Sequence, residues 1–303
     1  MELRQLRYFL KTAELLNFSE AARQLCVTQS TLSQQIKQLE NEFGVQLFER
    51  NSHEVSLTES GRELMPFAVK TLSASEACNQ HMLDLKNIVA GTLNIGVTYS
   101  FGPILSETLL TFIKQYPTIK LCIVYKPMEE LLEMLDNREI DFVLAFKPVR
   151  HYPHIESHVL FDNHLSVIVA NNHPLATREK ITLAELQSYE LVLPSRGLQA
   201  RNAFEKMIQG RDLDFKTNIE LNDVNILLKV IRGCRLATVL SEATIMGETG
   251  VTAVHLDVPD EENTMEGCIH VLKDSYIKNS AREFMRMLRD SDSIRLRAFE
   301  WIG

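Results

Sequence analysis

The chain has 303 residues and carries 32 Lys+Arg against 40 Asp+Glu, a net charge of −8. That length accommodates two or three domains, and 45% hydrophobic with 24% charged residues excludes a disordered or fibrous chain. Taken as an average, the acidic balance argues against a nucleic-acid partner. No apolar run approaches the roughly 18 residues that span a bilayer. Met1-Glu2-Leu3-Arg4-Gln5 has neither the basic nor the apolar region of a secretion signal, so a cytoplasmic protein with no membrane partner is expected. Cys26, Cys78, Cys122, Cys234 and Cys268 are odd in number and lack a C-x-x-C pair, which indicates neither a disulfide framework nor a thiolate zinc site.

The first ninety residues follow a helical pattern almost throughout. Ser19 reads as the N-cap of a short Ala-rich helix with Glu20 in its first turn. Cys26-Val27 forms a tight connection, and Thr28 caps a second helix. In that helix Leu32, Ile36 and Leu39 form one apolar stripe, while Ser30, Ser33, Gln34 and Lys37 share the opposite face. Short hydroxyls, carboxamides and a lysine on an exposed helix suit a DNA major groove: Gln pairs with adenine, Ser reaches phosphate or base edges, and Lys neutralises phosphate. The same face also fits the solvated side of an ordinary three-helix bundle.

Asn17-Phe18-Ser19-Glu20-Ala21-Ala22-Arg23-Gln24-Leu25, Val27-Thr28-Gln29-Ser30, Leu39-Glu40, Gly44-Val45-Gln46-Leu47-Phe48-Glu49-Arg50 and Leu57-Thr58-Glu59-Ser60-Gly61 resemble the winged helix-turn-helix of the LysR-type transcriptional regulators. The resemblance is dense over residues 1–65. It implies a DNA-binding domain over 1–58, with recognition by Thr28–Leu39 and a wing at about Arg50–Leu57. The residues it puts toward double-stranded DNA are Ser19, Thr28, Gln29, Ser30, Thr31, Ser33, Gln34, Lys37, Arg50 and His53. This chain departs from the family in having Ser30 and Gln34 where Pro and Arg are usual, and His53, Glu54 and Ser56 in a wing that is usually Arg-rich. Seven cations stand against nine carboxylates over residues 1–65, so the module itself carries −2. Modest non-specific attraction to phosphate follows.

Residues 59–90 read as one linker helix. Leu64, Thr71, Cys78 and Leu85 recur every seven residues, as do Ala68, Ser75, Met82 and Val89, giving a weak a/d-like seam, and Pro66 is expected to kink it. The resemblance makes this helix the site of homodimer or homotetramer assembly.

From Leu93 strands alternate with helices. Leu93–Val97, Leu121–Tyr125 and Phe142–Phe146 read as strands, and Pro103–Gln115 and Met128–Asn137 as helices. The alternation resumes at Leu165–Ala170, continues through Leu191–Leu193, Arg201–Gln209, Asn222–Ile231 and Leu236–Leu240, and closes with Cys268–Lys273 and a helix from Ser280. This implies a mainly parallel sheet. Residues 91–303 resemble the family's two-lobed α/β effector-binding domain of periplasmic-binding-protein-like fold, making the whole chain an α+β multidomain protein. Lobe I is placed at about 91–161 and 267–303 and lobe II at about 162–266, with crossovers near Leu160–Asp162 and Met265–Cys268.

Ligands of such folds sit between the lobes, at strand ends and helix N-termini. Thr98, Tyr99 and Ser100 follow the first strand, Phe146 and Lys147 end the third, Ser195 and Arg196 follow a strand of the other lobe, and Asn225 opens a helix. Lys147, Ser195 and Arg196 are expected to close on a small anionic effector from both sides. Arg235, Ser241 and Lys126-Pro127-Met128-Glu129 depart from the family near this cleft. No cysteine lies between Asn163 and Gly233, which disfavours the peroxide-sensing members, whose second lobe holds two. An alternative, metal-responsive reading rests on His151, His154, Glu156 and His158, whose imidazoles and carboxylate suit zinc or nickel. An enzyme or transport protein fits less well. The sequence has no G-x-S-x-G, P-loop, G-x-G-x-x-G after a strand or H-E-x-x-H. No cofactor is expected. Regulation of transcription, with contact to RNA polymerase, is what the resemblance implies.

Overall fold

The computed structural model describes residues 1–50, 55–84, 91–292 and 294. They form two compact units, one holding the elements up to residue 84 and the other those from Gly91 onward.

The first unit runs α1 (Leu3–Leu15), α2 (Phe18–Gln24), α3 (Gln29–Phe43), β1 (Phe48–Arg50), β2 (Val55–Leu57) and α4 (Glu59–Asp84). α2 begins two residues earlier than the sequence suggested. Asn17, not Ser19, is its N-cap, its side chain accepting from the Glu20 N–H at 3.0 Å. Cys26 turns the chain at φ +55°, and Thr28 caps α3 by accepting from the Thr31 N–H at 3.2 Å. α3 ends at Gly44, whose φ of +71° suits glycine. Leu32, Ile36 and Leu39 are fully buried, as the stripe required, beside Leu6, Phe9, Ala21 and Ala22. The Phe48 ring sits 5.6 Å from Phe9 and 5.5 Å from Phe18. The Glu40 carboxylate holds the start of the β1–β2 hairpin by accepting from the N–H groups of Leu47 and Phe48. A Cβ at Gly61 would lie 2.2 Å from the Leu47 carbonyl oxygen, so only glycine lets α4 approach the hairpin this closely.

The seam expected along α4 is corrected. Leu64 and Ala68 turn inward with Met65 and Leu72 onto the unit's own core, where Ala68 is 1% exposed. Cys78 and Met82 of that seam are exposed, and with Phe67 and Ala74 they form an exposed apolar stripe. Leu85 and Val89 lie outside the described residues. α4 continues past Pro66 as one helix.

The second unit opens with β3 (Gly91–Val97), a 3-10 turn over Tyr99–Phe101, α5 (Gly102–Gln115), β4 (Ile119–Tyr125), α6 (Met128–Asp136) and β5 (Phe142–Phe146). It continues through β6 (Ile155–Ala170), β7 (Lys180–Ile181), α7 (Leu183–Leu186), β8 (Leu191–Pro194), α8 (Gln199–Ile208), β9 (Thr217–Leu221), α9 (Val224–Gly233) and β10 (Thr238–Ser241). β11 (Val251–Leu256), α10 (Asp260–Asn263), β12 (Thr264–Leu272) and α11 (Asn279–Arg289) complete it.

The sheet is mixed, not mainly parallel. β3 pairs in parallel with β4 and β5, but β12 is antiparallel to β5 and β6, and β10 and β11 are antiparallel to β6. The cause is β6, a single 16-residue strand through what was read as a crossover, with β12 returning beside it. A bulge at Gly267/Cys268 interrupts that pairing, and Gly267 leaves room for the Phe161 ring, which a Cβ would approach within 2.6 Å.

Two cores follow from this path. Ile95, Val97, Phe112, Phe142 and Phe284 fill lobe I, and Val167, Leu191, Phe204, Leu227 and Val239 fill lobe II. α6 covers the other face of β5 through Leu131, Leu132 and Leu135. Lys278, ahead of α11, reaches Asp141 at 2.8 Å, and Asp141 also accepts from the Asn94 N–H.

Candidate functional site

The first surface to consider is the face of α2 and α3. Thr31, Gln34 and Lys37 are exposed there, and Ser33 is half-buried. Several of the expected groups are already engaged with one another. The Ser19 hydroxyl donates to Gln29 Oε1 at 3.1 Å, tying the two helix starts together. The Thr28 hydroxyl lies 2.9 Å from that of Ser30 and 2.8 Å from that of Thr31. This hydroxyl cluster stands at the positive end of the α3 dipole, where an anionic oxygen is stabilised. Arg50 ends β1, while His53 lies outside the described residues. Three cations of this unit are paired with carboxylates: Arg23 with Glu20 at 2.7 Å, Lys11 with Glu14 and Arg4 with Glu2. Bonding to Arg23 and Gln24 holds the Glu20 carboxyl below its ordinary pKa.

The second region lies where lobe I faces lobe II. Thr98 caps the 3-10 turn without a side-chain cap bond, and this turn runs directly into α5. Across from it Leu198 leads into α8, again with no side-chain cap. Both helix starts line one cavity, with Thr98, Tyr99 and Ser100 on one wall and Pro194, Leu198 and Gln199 on the other. Its volume is only about 20 Å³, room for roughly one water. Next to it is an open crevice of about 640 Å³, walled by Tyr99, Tyr125, Ser106, Asn225, Leu228 and Thr244. That size suits a small organic ligand. Tyr99 and Tyr125 stack with ring centroids 5.7 Å apart, and burial raises the Tyr125 phenol pKa.

The candidates divide between these walls. Thr98, Tyr99 and Ser100 meet at the small cavity, and Tyr99 and Asn225 at the crevice. The Thr98 side chain is buried, with its hydroxyl 3.4 Å from the Leu144 carbonyl. Phe146 lines neither cavity, and its ring lies in the lobe I core 5.2 Å from Phe101. Lys147, Ser195 and Arg196, expected to close on one anion, line neither of these two cavities. Lys147 pairs with Glu266 at 2.5 Å, which raises its pKa, and Arg196 pairs with Glu205 at 3.3 Å. The Ser195 N–H donates to Leu221. The carboxylate that matches Lys147 lies 119 residues along the chain, so sequence spacing could not reveal that pair.

Gln199 was missed. It is the first residue of α8, yet its side chain reaches the other lobe: Oε1 accepts from the Phe146 N–H at 3.2 Å and Nε2 donates to the Phe146 carbonyl at 2.9 Å. The only local signal was a long amide at a helix start with no Ser, Thr, Asp or Asn to cap it.

The histidine cluster does not assemble. His158 lies 3.7 Å from Glu156, and no grouping of three or more His, Cys, Asp or Glu able to hold a metal ion occurs among the described residues. All five cysteines are free thiols, and burial pushes Cys268 up to about 12. No helix among the described residues is long and apolar enough to cross a membrane.

Residues 3–62 match the family described as bacterial regulatory helix-turn-helix proteins of the lysR family, and residues 86–293 match the LysR substrate binding domain. The RuBisCO operon transcriptional regulator of Allochromatium vinosum is 30% identical over 245 residues, 81% of each chain. Among solved structures, a full-length OxyR from Pseudomonas aeruginosa superposes with TM-score 0.72 at 23% identity, covering 98% of this chain and 95% of that one. Full-length CbnR in complex with its target DNA gives 0.69 at 20% identity, covering 96% and 99%.

Proposed function

This chain belongs to the LysR family, a DNA-binding transcriptional regulator with a C-terminal effector-binding domain, and from that premise we propose which residues meet DNA and where the effector sits. α3 enters the major groove. Gln34 and Lys37, with Ser30 and Thr31, face the bases and phosphates, and Gln34 reads an adenine. Ser19, Thr28 and Gln29 position the helix start, Ser33 borders this face, and Arg50 and His53 belong to the wing on the backbone. With Arg4, Lys11 and Arg23 each paired to a carboxylate, the module neutralises few phosphates. Its affinity therefore depends on copies joined through Phe67, Ala74, Cys78 and Met82 of α4, as a homodimer or homotetramer.

The effector occupies the region between the lobes. The observation that carries this is the pair of helix starts, at Thr98–Ser100 and at Leu198–Gln199, that line one cavity without side-chain caps. The Thr98 and Leu198 N–H groups are spent on the Leu144 and Ser195 carbonyls, so it is the N–H groups of Tyr99, Ser100 and Gln199 that suit an anionic group, and the crevice beside Tyr99, Tyr125 and Asn225 has room for the rest of the molecule. Binding there favours one lobe arrangement over another, which changes the placement of the DNA-binding domains and the contact with RNA polymerase.

Anisotropy titration of full-length protein on its own upstream DNA tests the first part, and a salt series accompanies it. Specific binding with a shallow salt slope is expected. A slope as steep as that of roughly six or more phosphates neutralised per module refutes the assignment of DNA contacts. A thermal-shift screen of small carboxylates and phosphates tests the second, because a ligand of the native state raises its stability. Absence of any stabilisation by such anions refutes the anionic site.

A further inference from the structure

β3 and β5 form a parallel ladder up to Val97↔Leu144, and the Thr98 N–H adds one more bond to the Leu144 carbonyl at 2.9 Å. The next rung would take the Phe146 N–H to the Thr98 carbonyl. That carbonyl is instead used by the Phe101 N–H, at 3.0 Å, as the chain turns into α5. The ladder therefore stops one residue short, leaving the Phe146 N–H and carbonyl without a strand partner on the β3 side, while β12 pairs with the other edge of β5. A buried peptide group left unpaired is destabilising, so this position calls for a partner.

Gln199 supplies the missing partner from the opposite lobe. A carboxamide has the donor and acceptor of a peptide group, and here it forms both bonds to Phe146, with Nε2 also 2.8 Å from the Met128 sulfur. The carboxamide thus continues the lobe I ladder with a side chain from lobe II. It does so in the cavity where both helix starts converge, and with it in place only about 20 Å³ remains.

We propose that Gln199 is a built-in occupant of the effector cleft, a latch that holds the lobes together across Phe146 and that an effector must displace to enter. This rests on reading the interlobe cavity as the effector site. Only the open fraction of molecules binds ligand, so apparent affinity is reduced by the fraction latched. The group that replaces the carboxamide meets an N–H and a carbonyl side by side, so the favoured effector carries a hydrogen-bond donor next to its acceptor.

The test is backbone hydrogen exchange on full-length protein without ligand, comparing wild type with Gln199→Leu and Gln199→Ala. Loss of the latch is expected to speed exchange at Phe146 by roughly tenfold, the worth of one good hydrogen bond, while amides in β4 and α11 keep their protection. Unchanged exchange at Phe146 in folded variants overturns the latch. Titration with inorganic phosphate, followed by thermal shift, supplies a second arm. Tighter apparent binding to Gln199→Leu than to wild type supports displacement, and weaker binding overturns it by making Gln199 a ligand of the anion. If phosphate stabilises none of the proteins, the anionic reading of the cleft fails, and the exchange result alone decides the latch.

Discussion

His270 makes the effector domain sensitive to acid, and the size of the effect follows from its surroundings. The ring lies in β12, fully buried, with Nε2 3.2 Å from the Ala145 carbonyl and Nδ1 2.8 Å from the Ser157 hydroxyl. Both nitrogens are satisfied by the neutral tautomer that donates from Nε2 and accepts at Nδ1. Burial pulls the pKa from the ordinary 6.5 down to about 4; bonds to the Ala145 and Phe146 backbone oppose this, and nearby His158 adds to it. Because the folded pKa is depressed, the unfolded chain takes up a proton first as the pH falls. The stability is whole above 6.5 and is lost down to about 4. Linkage over this interval amounts to about 2 kcal/mol between pH 7 and pH 5, and about 3 kcal/mol by pH 4. His270→Leu removes the titration. Its stability at pH 7 should fall by about 1–3 kcal/mol as the Ser157 and Ala145 partners are lost, but it should decline less steeply with acid. Urea unfolding of both proteins at pH 7, 6 and 5, followed by circular dichroism, reads the difference, because all other groups titrate alike in both. Identical loss of stability between pH 7 and 5 in the two proteins refutes the argument.

Three further outcomes are expected. Gly61→Ala forces a methyl toward the Leu47 carbonyl oxygen, and the displaced hairpin should cost about 1–3 kcal/mol in thermal unfolding and weaken DNA binding; a neutral substitution refutes the close approach. Asp141→Asn leaves Lys278 charged and nearly buried, at 13% exposure of its side chain. A loss of about 3 kcal/mol in urea unfolding is expected, and a loss below 1 kcal/mol shows that water replaces the partner. Gln34→Arg should move the preferred operator base from adenine toward guanine in a binding selection, and an unchanged preference removes Gln34 from base reading.

The helix-turn-helix was legible in the amino-acid sequence because its determinants are local. The Leu32, Ile36 and Leu39 stripe and the Thr28 cap each act within a few residues, and the structure places them accordingly. Even here the cap was not settled locally: Asn17, and not the expected Ser19, caps α2, while Ser19 bonds to Gln29 of the next helix. The heptad reading of α4 needed correction at its start for a related reason. Periodicity marks an apolar face without saying what it packs against, and Leu64 and Ala68 belong to the chain's own core.

In the second unit the sequence by itself determined most of the strands and helices, through apolar runs and their punctuation. Only the tertiary structure decided how the strands pair. Whether β12 runs against β5 and β6, or Thr217–Leu221 becomes an edge strand, depends on contacts between segments distant in the chain. The same holds for charge and hydrogen bonding. Lys147 and Glu266 are 119 residues apart, and Gln199 and Phe146 are 53 apart. A sequence displays which side chains are able to donate, accept or carry charge. Which of them spend that capacity on each other is settled only when the backbone brings them within about 3 Å.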